Sequence, residues 1–146
     1  MTEALAWVAG LADGDGTFRP YWSHKNGKGY LGIQFAISNR CLPALRRCQA
    51  ILGGGRLYQD HRNPKYWELR FDGVHAQDAA AQLLPYLVIK QAQAWVMVML
   101  PRRRSPMPGP RQRGLQKSPV LYRLAQAVAY KALKRLNEAG GKGWKL

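Results

Sequence analysis

The sequence predicts an α+β domain in which two β-hairpins form a four-stranded antiparallel sheet with helices on one face. Three observations support this fold class. Residues 4–12 contain no polar side chain, which is typical of a buried helix. Two later segments alternate in polarity around turn-forming residues, which indicates hairpins. Segments with apolar residues at helical spacing follow each hairpin. The predicted order is αββαββα, then a further helix, a proline-rich arm and a last helix.

The first predicted helix ends in an acidic turn. Thr2 is a plausible N-cap. Small residues recur along the helix at positions 6, 9, 10 and 13, so another backbone could approach closely. At residues 13–16 two glycines permit a turn with positive φ. Asp13 and Asp15 therefore lie where a buried helix reaches an open site.

The two predicted hairpins have one apolar and one polar face. Residues 17–25 pair with 30–38 around the turn at 26–29, and residues 56–61 pair with 66–71. Pro20 indicates an edge strand or a bulge. Inward-facing positions are Leu31, Ile33, Phe35, Ile37, Trp67, Leu69 and Phe71.

Helices are predicted for residues 39–52, 74–87, 89–100 and 120–139, with Pro85 separating the second from the third. The last helix carries a predicted apolar stripe of Leu121, Leu124, Val128, Ala132 and Leu136 and ends at two glycines. We divide the chain into a core (1–100), a Pro/Arg-rich linker (101–119) and a C-terminal helix with a basic tail (120–146) that packs on or extends the same domain.

The charge balance favours a polyanionic partner, nucleic acid first and an acidic membrane second. The 146 residues carry 23 Lys and Arg against 8 Asp and Glu, a net charge of +15. Most of this charge lies after residue 100. Two cysteines seven residues apart suggest reduced core thiols on one helix and a cytosolic setting. No signal peptide or membrane-spanning run is found, so we expect no secretion and no membrane partner.

The polar face of the predicted sheet is rich in cationic and hydrogen-bonding groups, which suits the major groove of DNA. A merely solvated polar face is the alternative reading. The predicted DNA-binding residues are Thr17, Arg19, Tyr21, Ser23, Lys25, Lys28, Tyr30, Gln34, Arg40, Arg56, Tyr58, Asp60, Arg62, Tyr66, Glu68 and Arg70.

The segment from Val8 to Gly16 resembles the nine-residue signature of the LAGLIDADG homing endonucleases, and the likeness covers roughly residues 4–100. The resemblance implies a homing-endonuclease-like fold with a saddle-shaped DNA-binding sheet. It also implies metal-dependent hydrolysis of double-stranded DNA at a long, pseudo-palindromic site, leaving short 3′ overhangs.

The same resemblance suggests roles for individual residues. Asp15 matches the metal-binding carboxylate, and the carbonyl of Gly14 matches a backbone metal ligand. Lys90 matches a lysine beside the active site that polarises the water network, and Asn39 matches a residue that orders solvent there. A basic residue near the site is Arg40 or Arg46. The implied cofactor is Mg²⁺, with Mn²⁺ or Ca²⁺ able to substitute in binding. Asp13 is expected to be a cap or turn residue rather than a ligand.

Only one such motif occurs in the chain, and one site cannot cut two strands at once. We therefore expect a homodimer that brings the two Asp15 side chains together, as single-motif members of the family do. The predicted interface residues are Trp7, Val8, Ala9, Gly10 and Ala12. The alternatives are a catalytically silent protein of the same fold, acting as an RNA-splicing maturase or a DNA-binding regulator, and a basic structural protein. The expected location is the cytoplasm of a bacterium or of a phage-infected cell, or an organelle.

Overall fold

The computed structural model describes residues 1–25, 28–100 and 120–141, and for 22–25, 28–31, 120–126 and 140–141 it describes the backbone alone. It has the predicted α+β architecture. The elements are α1 (Thr2–Asp15), β1 (Gly16–Lys25), β2 (Lys28–Asn39), α2 (Leu42–Leu52), β3 (Arg56–Gln59), β4 (Trp67–Asp72), α3 (Val74–Leu83), α4 (Gln91–Met99) and α5 (Val120–Gly141).

The four strands form one antiparallel sheet in the order β1-β2-β4-β3. Phe18, Phe35 and Phe71 are cross-strand neighbours on its inner face. Their rings stack, with centroids 4.6 Å apart for the first pair and 5.8 Å for the second. Because β1 is an edge strand, Pro20 removes no hydrogen bond that a central strand would need.

One apolar core lies between this inner face and the helices. Four helices, α1 to α4, cover this inner face. Their fully buried side chains include Val8, Leu45, Cys48, Leu83 and Met97. Burial of Cys48 raises the pKa of its thiol to about 11. Cys41 is also a free thiol but is exposed, so the prediction of two core thiols is correct only for Cys48.

The first helix differs from the prediction at both ends. Met1 is the N-cap and Thr2 is already helical. At the other end the helix includes Asp13 and continues to Asp15, and Gly16 is extended at φ −87°. The predicted turn with positive φ is therefore wrong. Gly16 is required for space instead, because a Cβ there would lie 2.5 Å from the carbonyl oxygen of Ala12.

Other helix and strand boundaries also differ from the prediction. Asn39 ends β2 rather than opening a helix, and the next helix begins at Leu42. The helix predicted for 74–87 ends at Leu83, and the following one begins at Gln91. The last helix continues through Gly141.

The last helix, α5, packs against β1 and α4. The side chain of Asn137 donates a hydrogen bond of 2.8 Å to the carbonyl oxygen of Phe18 on the edge strand. Among the described side chains of this helix, Leu133 is fully buried and Val128 is 67% exposed, so the predicted apolar stripe is wrong at Val128. Its members Leu121 and Leu124 lie outside the described side chains. The predicted linker (101–119) and the end of the tail (142–146) lie outside the described residues.

Candidate active site and nucleic-acid interface

The last residue of α1 and the last residue of β2 meet at the candidate active site. Nδ2 of Asn39 donates a hydrogen bond of 2.6 Å to Oδ2 of Asp15. Oδ1 of Asn39 accepts a bond of 2.8 Å from the backbone N–H of Cys41, just before α2. Both ends of the Asn39 amide are thereby held, and it fixes one oxygen of an exposed carboxylate. The other oxygen of Asp15 is left for a further ligand.

Lys90 lies against the C-terminus of α1, where carbonyl groups lack helical partners. Its Nζ donates to the carbonyl oxygens of Gly16 at 2.6 Å, Ala12 at 3.1 Å and Gly14 at 3.4 Å. An ammonium group at this end of a helix is favoured by the helix dipole. Partial burial lowers the pKa of Lys90, and the charges of Asp13 and Asp15 oppose that shift.

Asp13 joins α1 to the start of α4. Its carboxylate accepts backbone hydrogen bonds from Val88 at 2.8 Å, Ile89 at 3.1 Å and Lys90 at 2.9 Å. These N–H groups belong to the segment that ends at Lys90, the N-cap of α4. Asp13 lies inside α1 and caps neither helix; its bonds tie α1 to this segment and hold the backbone of Lys90 beside Asp15.

The predicted basic residue near the site remains open between two arginines. Arg40 follows Asn39 directly, and its guanidinium lies over the ring of Tyr66 at 4.7 Å. Arg46 is exposed on α2. The structure gives Arg40 the neighbouring position in the chain, but both side chains remain candidates.

The outer face of the sheet brings together polar side chains from all four strands. Cross-strand pairing aligns Thr17, Ala36, Arg70 and Arg56 in one row. Arg19, Gln34 and Asp72 form a second row, and Ser38, Glu68 and Tyr58 form a third. The predicted residues from these strands thus share one face.

An arginine pair around Glu68 is the main charged cluster on this face. Oε1 of Glu68 accepts from Nε of Arg70 at 2.7 Å and lies 2.6 Å from Nη2 of the same guanidinium. Arg19 approaches the same oxygen at 3.6 Å. The guanidinium of Arg70 also stacks over the ring of Tyr58 at 4.6 Å. Burial opposes the charge of Arg70, but Glu68, together with Asp72 and Tyr58, outweighs that effect and raises the pKa of the guanidinium.

Several other predicted DNA-binding residues have different surroundings in the structure. Tyr21 lies across its cross-strand partner Gly32, where a Cβ would meet the ring at 2.2 Å. Asp60 is a turn residue, since its Oδ1 accepts from the backbone of Arg62 at 2.8 Å and of Asn63 at 3.4 Å. Strand pairing is described for Ser23, Lys25, Lys28 and Tyr30, but their side chains lie outside the described part.

Sequence reasoning missed two members of the outer face, Ser38 and Asp72. Ser38 Oγ donates to Glu68 at 3.4 Å, and Asp72 accepts from Gln34 at 2.8 Å. The alternation that placed Glu68 and Arg70 outward would have reached Asp72, had the strand been extended by one residue. Gln34, predicted to be exposed, is 8% exposed and forms part of the hydrogen-bonded network.

The predicted dimer-interface residues divide into two sets. Val8, Ala9 and Ala12 have no exposed surface and belong to the core of this chain. Trp7 and Gly10 are exposed, and Trp7 is stacked with Arg47 of α2 at 4.8 Å. The open face of α1 therefore follows positions 3, 6, 7, 10 and 14.

Comparison with solved structures identifies the fold. The homing endonuclease I-CvuI, solved with the I-CreI target in the presence of Mg, has 22% sequence identity and a TM-score of 0.71, with 99% of this chain and 86% of that chain covered. The archaeal intron-encoded homing endonuclease I-Vdi141I, complexed with DNA, has 15% identity and a TM-score of 0.69, covering 98% and 87%. The homing endonuclease I-TnaI has 20% identity and a TM-score of 0.54, covering 93% and 97%.

No protein-family model matches the sequence, and no curated protein matches it. The structural likeness nevertheless covers nearly the whole chain, and the described elements have the topology that the resemblance implies. The chain therefore has the homing-endonuclease-like fold. None of the helices in the described ranges combines the length and apolar character needed to cross a membrane.

Proposed function

We propose that this chain is a LAGLIDADG-type homing endonuclease that hydrolyses both strands of a specific DNA site with the help of divalent metal ions. The observation that carries the proposal is the pairing of an exposed carboxylate, Asp15, with Asn39 at the end of α1, beside the ammonium group of Lys90. A binding protein has little need for a carboxylate next to DNA, because it repels phosphate unless a cation intervenes. The structural neighbours that were solved with DNA support the same class of partner.

The donor set at the end of α1 fits a hard divalent cation. The carboxylate of Asp15 and the carbonyl of Gly14 offer oxygen ligands, which Mg²⁺ and Ca²⁺ prefer. Within the described ranges no group of three His, Cys, Asp or Glu side chains is close enough to bind an ion. A site with one carboxylate and one carbonyl group suits Mg²⁺, which needs few protein ligands and keeps waters or phosphate oxygens in its coordination shell. When bound, the ion supplies an activated water and neutralises charge on the leaving oxygen.

The chain's own residues have distinct tasks in this proposal. Asn39 orients Asp15 through the 2.6 Å bond, so that the carboxylate does not need to be ordered when DNA arrives. Asp13 holds the backbone of Lys90 in place. The Lys90 ammonium group then provides a fixed positive charge near the scissile phosphate and its water network. Desolvation lowers its pKa, which makes proton exchange with that network easier.

The outer face of the sheet would bind the DNA. Arginine side chains that follow strands can reach guanine edges in the major groove, and hydroxyl and amide groups can contact bases or phosphates. Phosphate contacts fix the register of the protein on the duplex, while base contacts set the sequence that is bound.

Two copies of the chain are needed in this proposal, and the open face of α1 suits a second copy. A Cβ at Gly10 or Gly14 would meet no described atom within 4 Å outside its own turn of the helix, so the described part of the protomer does not require glycine at either position. Alanine would be a better helix former at both positions by about 1 kcal/mol. A partner backbone that packs closely against α1 gives a physical reason for these glycines.

We expect the substitution Asp15→Asn to abolish cleavage while preserving DNA binding, because it removes the charge that holds the cation and keeps the shape of the side chain. The test uses a duplex selected from a randomised library, incubated with Mg²⁺ or with a chelator. Glu138→Gln, which changes an exposed carboxylate on α5, is the matched control and should cut at the wild-type rate.

Cleavage by Asp15→Asn at the wild-type rate would refute the assignment of the site. Specific binding by the wild type without any cleavage in Mg²⁺, Mn²⁺ or Ca²⁺ would instead favour a silent DNA-binding regulator. Preferential binding of structured RNA would favour a maturase.

A further inference from the structure

A continuous hydrogen-bonded row crosses the outer face of the sheet and has a buried glutamine at its centre. Nε of Arg19 donates to Oε1 of Gln34 at 2.6 Å. Nε2 of Gln34 donates to Oδ1 of Asp72 at 2.8 Å. Strand pairing places the three residues side by side on β1, β2 and β4. Gln34 is only 8% exposed, so it has little surface to offer a base.

The partners of Gln34 permit one orientation of its amide. The guanidinium of Arg19 can only donate hydrogen bonds, and the carboxylate of Asp72 can only accept them. A flipped amide would place two donors together on one side and two acceptors on the other. Asp72 therefore holds the amide oxygen toward Arg19, although the two residues belong to strands that do not pair with each other.

Arg19 is the more exposed of the two arginines beside Glu68, and part of its guanidinium is already occupied. Its side chain is 42% exposed, against 32% for Arg70. Gln34 binds its Nε, and Glu68 lies 3.6 Å from one terminal nitrogen, Nη2. A guanidinium has five N–H groups, so these two contacts leave an N–H on each terminal nitrogen to contact a ligand. An arginine that offers two parallel N–H groups matches O6 and N7 of guanine.

We propose that Gln34 is a positioning residue that aims Arg19 at a guanine in each half of the DNA site, with Asp72 fixing the orientation of Gln34. The proposal rests on the proposed DNA-binding function and goes beyond it in two ways. It names the base that is bound, and it gives Gln34 the task of positioning Arg19 instead of the direct DNA contact predicted from the sequence. Holding a long side chain in the bound orientation lowers the ordering cost of binding, and it favours the base that matches that orientation.

The test compares the full-length wild type with Gln34→Met, Asp72→Ala and Arg19→Ala in a binding selection from a randomised duplex library with Ca²⁺. We expect Arg19→Ala to remove a guanine preference of about fivefold or more at one position per half-site. Gln34→Met should remove most of the preference at the same position, and Asp72→Ala should weaken it there. Gln34→Met changes no charge, so its effect should be confined to that position of the site.

A second measurement needs no DNA. The Nε–Hε group of Arg19 should give a slowly exchanging NMR signal in the free wild type, and that protection should be lost in Gln34→Met and reduced in Asp72→Ala. Gln59→Met is the matched control, since Gln59 is on the inner face and donates to the carbonyl of Pro64. It should change neither the Arg19 signal nor the base preference.

The outcomes separate this proposal from the proposed function. A wild type that selects no sequence at all would overturn both. A wild type that selects a site, together with a Gln34→Met variant that retains the guanine preference lost in Arg19→Ala, would overturn only the role of Gln34. Unchanged protection of the Arg19 signal in both positioning variants would also overturn it. If Gln34→Met does not fold, unchanged protection in Asp72→Ala is enough to overturn it.

Discussion

Gly16 connects the candidate active site to the first strand, and it tolerates no side chain. A Cβ there would lie 2.5 Å from the oxygen and 2.9 Å from the Cα of Ala12, both backbone atoms that cannot turn aside. We therefore expect Gly16→Ala to lower the free energy of unfolding by about 1–3 kcal/mol, the usual cost of overpacking.

Chemical denaturation of Gly16→Ala measures this cost, with Gly54→Ala as the control. A Cβ at Gly54 would meet nothing within 4 Å, so the control should differ little from the wild type. Equal stability of the two variants would show that the end of α1 can move away from β1, against the close packing described above.

Cys48 should make the stability of the protein fall in alkaline solution. Its pKa in the folded protein is about 11 because burial disfavours the thiolate, whereas the ordinary pKa of an exposed thiol is 9.0. Below pH 9 the thiol is protonated in both states, and its full contribution is present. Between pH 9 and about 11 the unfolded state loses its proton first, so the free energy of unfolding falls as the pH rises.

The difference between the two pKa values corresponds to at most about 3 kcal/mol across that window. Urea unfolding at several pH values should show this slope in the wild type and in Cys41→Ala, which leaves Cys48 in place. Cys48→Ala should lack it. A slope that survives in Cys48→Ala would assign the alkaline instability to another group.

At the scale of elements, α1 has a buried side and an open side. Its buried side contributes Val8, Ala9 and Ala12 to the core, while Trp7 and Gly10 face outward. The sequence predicted a helix buried on more than one side. It could not divide the apolar residues between the core and a partner, because alanine, valine and glycine suit either environment. Only the packing of α1 on α2, α3 and the sheet decides which side is closed.

We expect Gly10→Leu to dissociate the proposed dimer without unfolding the protomer. A Cβ at Gly10 would meet no described atom within 4 Å outside its own turn of the helix, and leucine favours the helix, but its side chain would separate two closely packed backbones. Sedimentation velocity should show a smaller species for Gly10→Leu than for the wild type. Ala81→Leu, at an exposed position of α3, is the control and should leave the assembly unchanged. An undisturbed dimer in Gly10→Leu would place the interface elsewhere.

The candidate site could be predicted where a residue belongs to a recognisable family motif, and less so where a contact depends on tertiary packing. Asp15 and Lys90 were selected through the resemblance to the family's motifs, and the fold brings both to the end of α1. The direct bond from Asn39 to Asp15 could not be foreseen, because the sequence placed Asn39 at the start of a helix. Its true position at the end of β2 is set by pairing with Trp67 across the sheet.

At the scale of the whole molecule, the proposed dimer requires each protomer to supply one active-site carboxylate for a reaction that must occur on two strands. A dimer with one wild-type chain and one Asp15→Asn chain should then cut one strand and leave the other intact. Two affinity tags of different kinds allow the mixed dimer to be purified, and a supercoiled plasmid with the selected site distinguishes nicked circles from linear product. The wild-type dimer should give linear DNA, and the doubly substituted dimer should give no product. A mixed dimer with Glu138→Gln is the matched control and should also linearise the plasmid. Linear product at the wild-type rate from the mixed Asp15→Asn dimer would mean that one carboxylate serves both strands, and the argument for two cooperating α1 helices would fail.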